Sequence, residues 1–240
     1  LFPIYWLIQM SFKTDMESFG KIVTYYPHEF TVDPWLQNLQ DKDFITSLKN
    51  SVLIALCSMC LSLVFGIPAA YGMGRYKVKG TKSFMLTFLV TQMLPASVML
   101  TPMYLIFSKI GLLGTYLAPA LAISSGSVPF IVVTLRPYFK SIPVSLDEAA
   151  RIDGANQFQI YWKIFMPIMK PSLILVGVLN MLTVWNDYLG PLIFLQDRSK
   201  YTLALGLASF KGVHSTQIIP MLCITIIMII PPIIIFIIVQ

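Results

Sequence analysis

Residues able to do chemistry are gathered in two places. The first is Ser145-Leu-Asp-Glu-Ala-Ala-Arg-Ile-Asp-Gly-Ala-Asn156, with Asp147, Glu148, Arg151 and Asp153 in one short stretch. A pair of carboxylates can do general acid–base work, but Glu148 and Asp153 are five residues apart and do not share a helical face. The two histidines, His28 and His214, lie far from this stretch, and no nucleophile–base pair or metal cluster is apparent in the sequence. Cys57 and Cys60 have the CxxC spacing of redox and metal sites. They fall inside an apolar run without a second pair, which favours packing. Cys223 is also in an apolar run.

The second place is Asn180 with Trp185-Asn186-Asp187-Tyr188. Asp187 is the only acid inside an otherwise apolar run, and an ionisable group there is expensive enough to be a functional hypothesis by default. Amides and aromatic faces beside it suit hydrogen bonding to, and stacking on, a polar solute. The same position would also let Asp187 cap a break before Gly190-Pro191, and both readings stay open. Passage and docking, rather than bond-making, are the chemistry these residues support.

The elements that must position them are membrane spans. The chain is 56% hydrophobic and 12% charged, whereas a soluble domain carries about a quarter charged residues. Apolar runs near the length of roughly 20 residues that a spanning helix requires predict spans at about 50–72, 84–107, 116–135, 171–195 and 217–240. Residues 1–12 read as the truncated end of another. The expectation is an all-α polytopic bundle of about six transmembrane helices in one domain, 1–240. Both ends read as cut.

The net charge of +6 would suggest nucleic acid in a soluble protein. Here it follows topology. Residues 75–82 hold four Lys/Arg and no acid, and 136–170 is also basic, whereas 13–49 has six acids against four bases. Lys/Arg excess marks the cytoplasmic side. Segments 75–82 and 136–170 are therefore expected inside, and 13–49, 109–115 and 197–216 outside. A short helix is expected near 35–47. Gly66 and Pro68 predict a kink in the second span. Gln92, Pro95 and Pro102 break up the third. Ser124 to Ser127 in the fourth suit either a cavity lining or a close helix interface.

The linker 136–170 has strong helix signals. Ser145 and Glu148 have capping-box spacing, Asp147 and Glu148 favour the first turn, and Asp147–Arg151 is an i,i+4 pair. Gly154 predicts a stop. Asn156 and Gln159 predict a second cap, opening a helix through Phe158, Tyr161, Trp162 and Phe165, with Pro167 and Pro171 leading into the fifth span. Leu146, Ala149, Ala150 and Asp153 are expected on one face, the two alanines letting another surface approach.

Glu148-Ala149-Ala150-Arg151-Ile152-Asp153-Gly154-Ala155, followed by Phe165-Met-Pro167 and Pro171, resembles the cytoplasmic EAA loop of binding-protein-dependent ABC importer permeases. Trp185-Asn186-Asp187-Tyr188-Leu189-Gly190-Pro191 and Tyr201-Thr-Leu-Ala-Leu-Gly-Leu207 are similar to the carbohydrate members, most of all the second, shorter permease of the maltose and multiple-sugar type. The resemblance implies type I importer architecture in a bacterial or archaeal inner membrane. It implies that Glu148, Ala149, Ala150, Asp153, Gly154 and Ala155 contact an ATPase subunit. It implies a second permease as heterodimer partner, two ATPase subunits and an extracellular or periplasmic solute-binding protein, with no nucleic acid. Asn180, Trp185, Asn186, Asp187 and Tyr188 are the candidate translocation path, and 197–216 could reach the binding protein or simply cover the bundle. The sequence has no G-x-x-x-x-G-K-[ST] motif, so no cofactor is expected in this chain, and ATP with its magnesium would sit on the partner ATPase. No metal site and no catalytic residue are expected. The alternative is an ion-coupled secondary transporter, which should carry mid-membrane ionisable groups.

Overall fold

The computed structural model describes residues 2–18, 20, 23–209 and 218–239. Among them only helices and turns occur. In chain order these are α1 (Phe2–Met10), α2 (Asp15–Ser18), α3 (Asp33–Gln40), α4 (Lys42–Arg75), α5 (Thr81–Met93), α6 (Ala96–Lys109), α7 (Leu117–Ser141), α8 (Ser145–Ile152), α9 (Gln157–Ile160), a π turn (Tyr161–Phe165), α10 (Met166–Trp185), α11 (Leu189–Phe194), a 3₁₀ turn (Arg198–Lys200), α12 (Leu203–Ser209) and α13 (Ile218–Val239).

Among the described residues, four helices are long and apolar enough to cross a membrane: Lys42–Arg75, Leu117–Ser141, Gln157–Trp185 and Ile218–Ile238. A fifth span exists if the bent pair α5 and α6 is taken as one. About six were expected, and α1, with nine residues, is shorter than the roughly 20 that a span requires.

The third expected span is broken. α5 and α6 meet at 102° across Leu94 and Pro95. Proline pushes the residue before it out of the helical region, and Leu94 is extended (φ −77°, ψ 129°), as is Pro95 (φ −58°, ψ 131°). Pro102 stays inside α6. The fifth expected span starts earlier than 171, because Pro167 and Pro171 do not end the linker helix: α9, the π turn and α10 run as one helix from Gln157 to Trp185. A proline ring clashes with the carbonyl four residues back. For Pro167 that carbonyl belongs to Lys163, inside the wider π turn, where Met166 N–H bonds Tyr161 O, five residues back, instead of a carbonyl four residues back.

The backbone packs as two compact units, residues 1–53 with 186–240 and residues 54–185. In the second, α7 lies against α5, α6 and α10. Its core joins Tyr71, Ile131, Val132, Leu135, Phe139, Ile160, Phe165, Met169 and Val176. Tyr71 meets Phe139, Tyr161 and Phe165 edge-on, with ring centroids 4.9–5.6 Å apart. The kink-prone Gly66 is a close approach: a Cβ there would stand 2.7 Å from Ile131 Cγ2. The hydroxyls of Ser124, Ser125 and Ser127 donate to carbonyls of their own helix, at Leu121, Ala122 and Ile123. Cys57 and Cys60 are free thiols on α4.

In the first unit α1, α3 and α12 pack on α13. Asn38 donates to Pro220 O at 3.1 Å, and Asn50 to Ser199 O and Tyr201 O at 2.9 and 3.0 Å. The helix expected near 35–47 is two helices, α3 and the start of α4. They are parted at Asp41, whose Oδ1 accepts the N–H of Asp43 at 2.9 Å. Lys13 is 2% exposed and is held by Thr24 O and Oγ1 at 2.6 and 2.7 Å, with Glu17 at 3.9 Å. Segment 197–216 is built as the 3₁₀ turn and α12 up to Ser209. Phe210 and His214 lie outside the described residues.

Candidate functional site

α8 follows α7 after Ile142, whose extended backbone (φ −67°, ψ 130°) leads into Pro143. Its start differs from the expectation. Val144 occupies the N-cap, no side chain caps the helix, and Ser145 is its first helical residue. Pro143 and Val144 carbonyls already take the N–H groups of Leu146, Asp147 and Glu148, so the Ser145–Glu148 capping box does not form. Asp147 and Glu148 stand in the first turn.

The end of α8 forms as the sequence predicts. Gly154 is left-handed (φ +81°), a region that disfavours any side chain with a Cβ. Its N–H bonds Arg151 O at 3.0 Å, and Ala155 N–H bonds Ala150 O at 2.9 Å. Together these make a Schellman motif that satisfies the last carbonyls of the helix. Two residues on, Asn156 and Gln159 form a reciprocal capping box, each side chain meeting the other's backbone N–H at 2.9 Å. The result is two helices joined by a turn in which the backbone N–H groups from Asp153 to Asn156 are all bonded.

Asp147 does not form its ion pair with Arg151. Its Oδ2 meets Arg75 Nη2 at 2.7 Å, with side-chain exposures of 18% and 5%. Arg75 Nη1 also donates to Ile142 O at 2.6 Å and Phe139 O at 3.2 Å, and the guanidinium lies 4.8 Å from the centre of the Phe165 ring. Tyr76, next in sequence, hydrogen-bonds Gln157 through its hydroxyl. Breaking a buried pair by removing one partner typically costs about 3–5 kcal/mol. Arg75 was legible in the sequence only as part of a basic run, because its partner is 72 residues away.

The expected contact residues do not all face the same way. Glu148, Ala149, Asp153 and Gly154 are exposed and Ala155 is half-buried. Ala150 is 8% exposed and packs into the core with Ile142, Ile160 and Phe165. The two alanines therefore do not share an outer face: Ala149 is outside, and Ala150 seats the helix. Ile152 and Phe158, 86% and 71% exposed, extend an apolar rim beside the turn.

The candidate path residues fall on α10 and in the helix break that follows it. Asn180 and Trp185 are buried on α10, at 3% and 4% exposure. Both amide atoms of Asn180 lack a hydrogen-bond partner. Asn186 and Tyr188 are exposed in the break before α11. Asp187 Oδ1 accepts the N–H of Gly190 at 3.4 Å, so Asp187 holds the first turn of α11, as its capping reading expects. Asn180 and Trp185 belong to one compact unit and Asn186, Asp187 and Tyr188 to the other.

Residues 62–240 match the family model described as "Binding-protein-dependent transport system inner membrane component". Among curated proteins, the chain is 31% identical over 243 residues to the arabinooligosaccharides transport system permease protein AraQ of Halalkalibacterium halodurans, covering 99% of this chain and 85% of the relative. It is 26% identical to the diacetylchitobiose uptake system permease protein DasC of Streptomyces coelicolor, covering 89% and 77%. Among solved structures, a chain of a bacterial ABC transporter involved in the import of the acidic polysaccharide alginate superposes with a TM-score of 0.88 at 27% identity, over 100% of this chain and 89% of that one.

Proposed function

We infer the carried solute and the coupling route from one premise: the chain belongs to the family of binding-protein-dependent transport system inner membrane components and is a multi-pass permease of an ABC importer. The solute is a sugar or oligosaccharide. Relatives named for arabinooligosaccharides and diacetylchitobiose support this, as does the likeness to the alginate importer. The ion-coupled alternative loses ground, since the family is defined by dependence on a binding protein.

The coupling segment is α8 and the turn behind it, facing the cytoplasm and seated in a groove of an ATPase subunit. Glu148, Ala149, Asp153 and Gly154 make the contact, with Ala155 at its edge, and Ala150 holds the helix from behind. One observation carries this reading: α8 is fixed rigidly on its inner side and bare on its charged outer side. A solvated loop helix would have no need of such anchoring. ATP and magnesium bind the ATPase pair, and closure of that pair moves the docked helices and switches the permease from inward-facing to outward-facing. A second permease completes the path as heterodimer partner, and a solute-binding protein delivers from outside. Asn180, Trp185, Asn186, Asp187 and Tyr188 contribute to the path, where the unpartnered amide of Asn180 suits a sugar hydroxyl.

The test is purification of this chain with its ATPase and second permease, with wild type and Glu148→Lys compared. Wild type is expected to retain the ATPase, and Glu148→Lys to lose most of it while keeping the same thermal unfolding. Full retention and normal uptake in the variant would overturn the docking assignment.

A further inference from the structure

Arg75 sits where three helix ends meet. It is the last residue of α4. One nitrogen of its fork takes Ile142 O and Phe139 O, at the C-terminal end of α7. The other takes Asp147 Oδ2, in the first turn of α8. The last carbonyls of a helix have no partner within it, and the negative end of the helix dipole attracts a cation. A planar guanidinium can reach all three acceptors at once, whereas a lysine ammonium acts as a single point charge. The face of the group rests on Phe165 in the π turn. One side chain therefore joins α4, α7, α8 and the entry to α10.

The pair is unevenly filled. Arg75 Nε and Asp147 Oδ1 are both buried, and neither has a partner. One is a donor and the other an acceptor. They are the two atoms that would form the second bond of a bidentate guanidinium–carboxylate fork. The fork is half-closed, with one donor and one acceptor left over for a second bond.

We propose that Arg75 is the positioning residue through which displacement of α8 is passed to α4 and α7, its fork with Asp147 going from one bond to two during the transport cycle. This rests on the docking reading of α8. That helix has only eight residues, and its remaining anchor, Ala150, is apolar and non-directional. Without directed bonds at its first turn, α8 would yield under load instead of carrying it.

The experiment uses the whole complex of this chain, its partner permease and the ATPase in lipid nanodiscs. The native cysteines are replaced by alanine, and spin labels are attached at Ser145→Cys on α8 and Val64→Cys on the exposed face of α4. The distance between labels is read without nucleotide and after trapping with MgATP and vanadate. With Arg75 present, the two distances are expected to agree within about 1 Å, because α8 and α4 move as one body. In Arg75→Gln and Arg75→Lys the trapped distance is expected to shift by about 2 Å or more, the scale of helix slippage at interfaces. If Arg75→Gln does not assemble, Arg75→Lys carries the test, since it keeps the charge and loses the fork. An unchanged distance in Arg75→Lys, or a nucleotide-dependent shift in wild type as large as the ~2 Å expected of the variants, would overturn the proposal. So would a loss of assembly in Arg75→Lys with no shift in what does assemble, which marks a purely structural residue. Failure of the wild-type chain to retain any ATPase would overturn the docking reading itself, and this proposal with it.

Discussion

The N–H of Ala155 reaches 2.9 Å back to the carbonyl of Ala150, and that bond fixes where α8 ends and which way its acids point. It forms only because Gly154 takes φ +81°. Nothing stands within 4 Å of a Cβ placed there, so substitution brings strain without collision. Left-handed backbone costs an ordinary residue about 1–2 kcal/mol. Gly154→Val is therefore expected to lower the population of the native turn several-fold. ATPase retained on the purified chain should drop, with thermal unfolding of the spans unchanged. Retention equal to wild type would show that the turn is dispensable for docking.

The capping box at Asn156 gives a second prediction. Asn156→Ala removes the acceptor for Gln159 N–H, a loss worth about 1 kcal/mol. Amide hydrogen exchange over 157–160 should quicken by roughly fivefold, with the rest of α10 unaffected. Exchange that stays slow would mean Gln159 finds another acceptor.

A third concerns the approach of α4 to α7. A methyl at Gly66 would meet Ile131 Cγ2 at 2.7 Å, and overpacking of this kind costs about 1–3 kcal/mol. Gly66→Ala should lower the unfolding temperature in detergent, and Gly66→Ala with Ile131→Ala should recover part of the loss. Two independent, additive losses would place the clash elsewhere.

The fourth separates path from packing at Asn180. A buried amide without partners costs about 1–3 kcal/mol, and both of its polar atoms are in that condition. Asn180→Leu is expected to be as stable as wild type or more so, yet slower in ATP-dependent uptake. Undiminished uptake would remove Asn180 from the translocation path.

The sequence was informative wherever the controlling forces are local. Asn156 and Gln159 are three residues apart and cap each other as their spacing predicts. Gly154 ends α8 for a backbone reason visible in one residue. The long apolar runs became α4, α7, α10 and α13 because membrane insertion needs only length and composition. Ser145 misled because the carbonyls of Pro143 and Val144 reached the first N–H groups before its hydroxyl could. Asp147 misled because a competitor 72 residues away outbid the nearer Arg151. Prolines were read by rule and behaved by context. Pro95 broke a helix where two successive residues could go extended, whereas Pro167 was absorbed by a π turn. Among the expected contact residues, the direction of Ala150 depends on the core formed by Ile160 and Phe165, which no local pattern encodes.

The uninterrupted helix from Gln157 to Trp185 has a mechanical consequence. Its 29 residues make a rod about 43 Å long, clamped near its foot by the capping box and by the aromatic collar of Tyr71 and Phe165. Were α8 driven as proposed, the rod would act as a lever with its fulcrum close to that end. A tilt of about 5° at Asn156 would sweep Trp185 through about 4 Å over that length. A gain in displacement of this kind would let a small stroke below the membrane open or shut a passage above it, without any helix having to unwind.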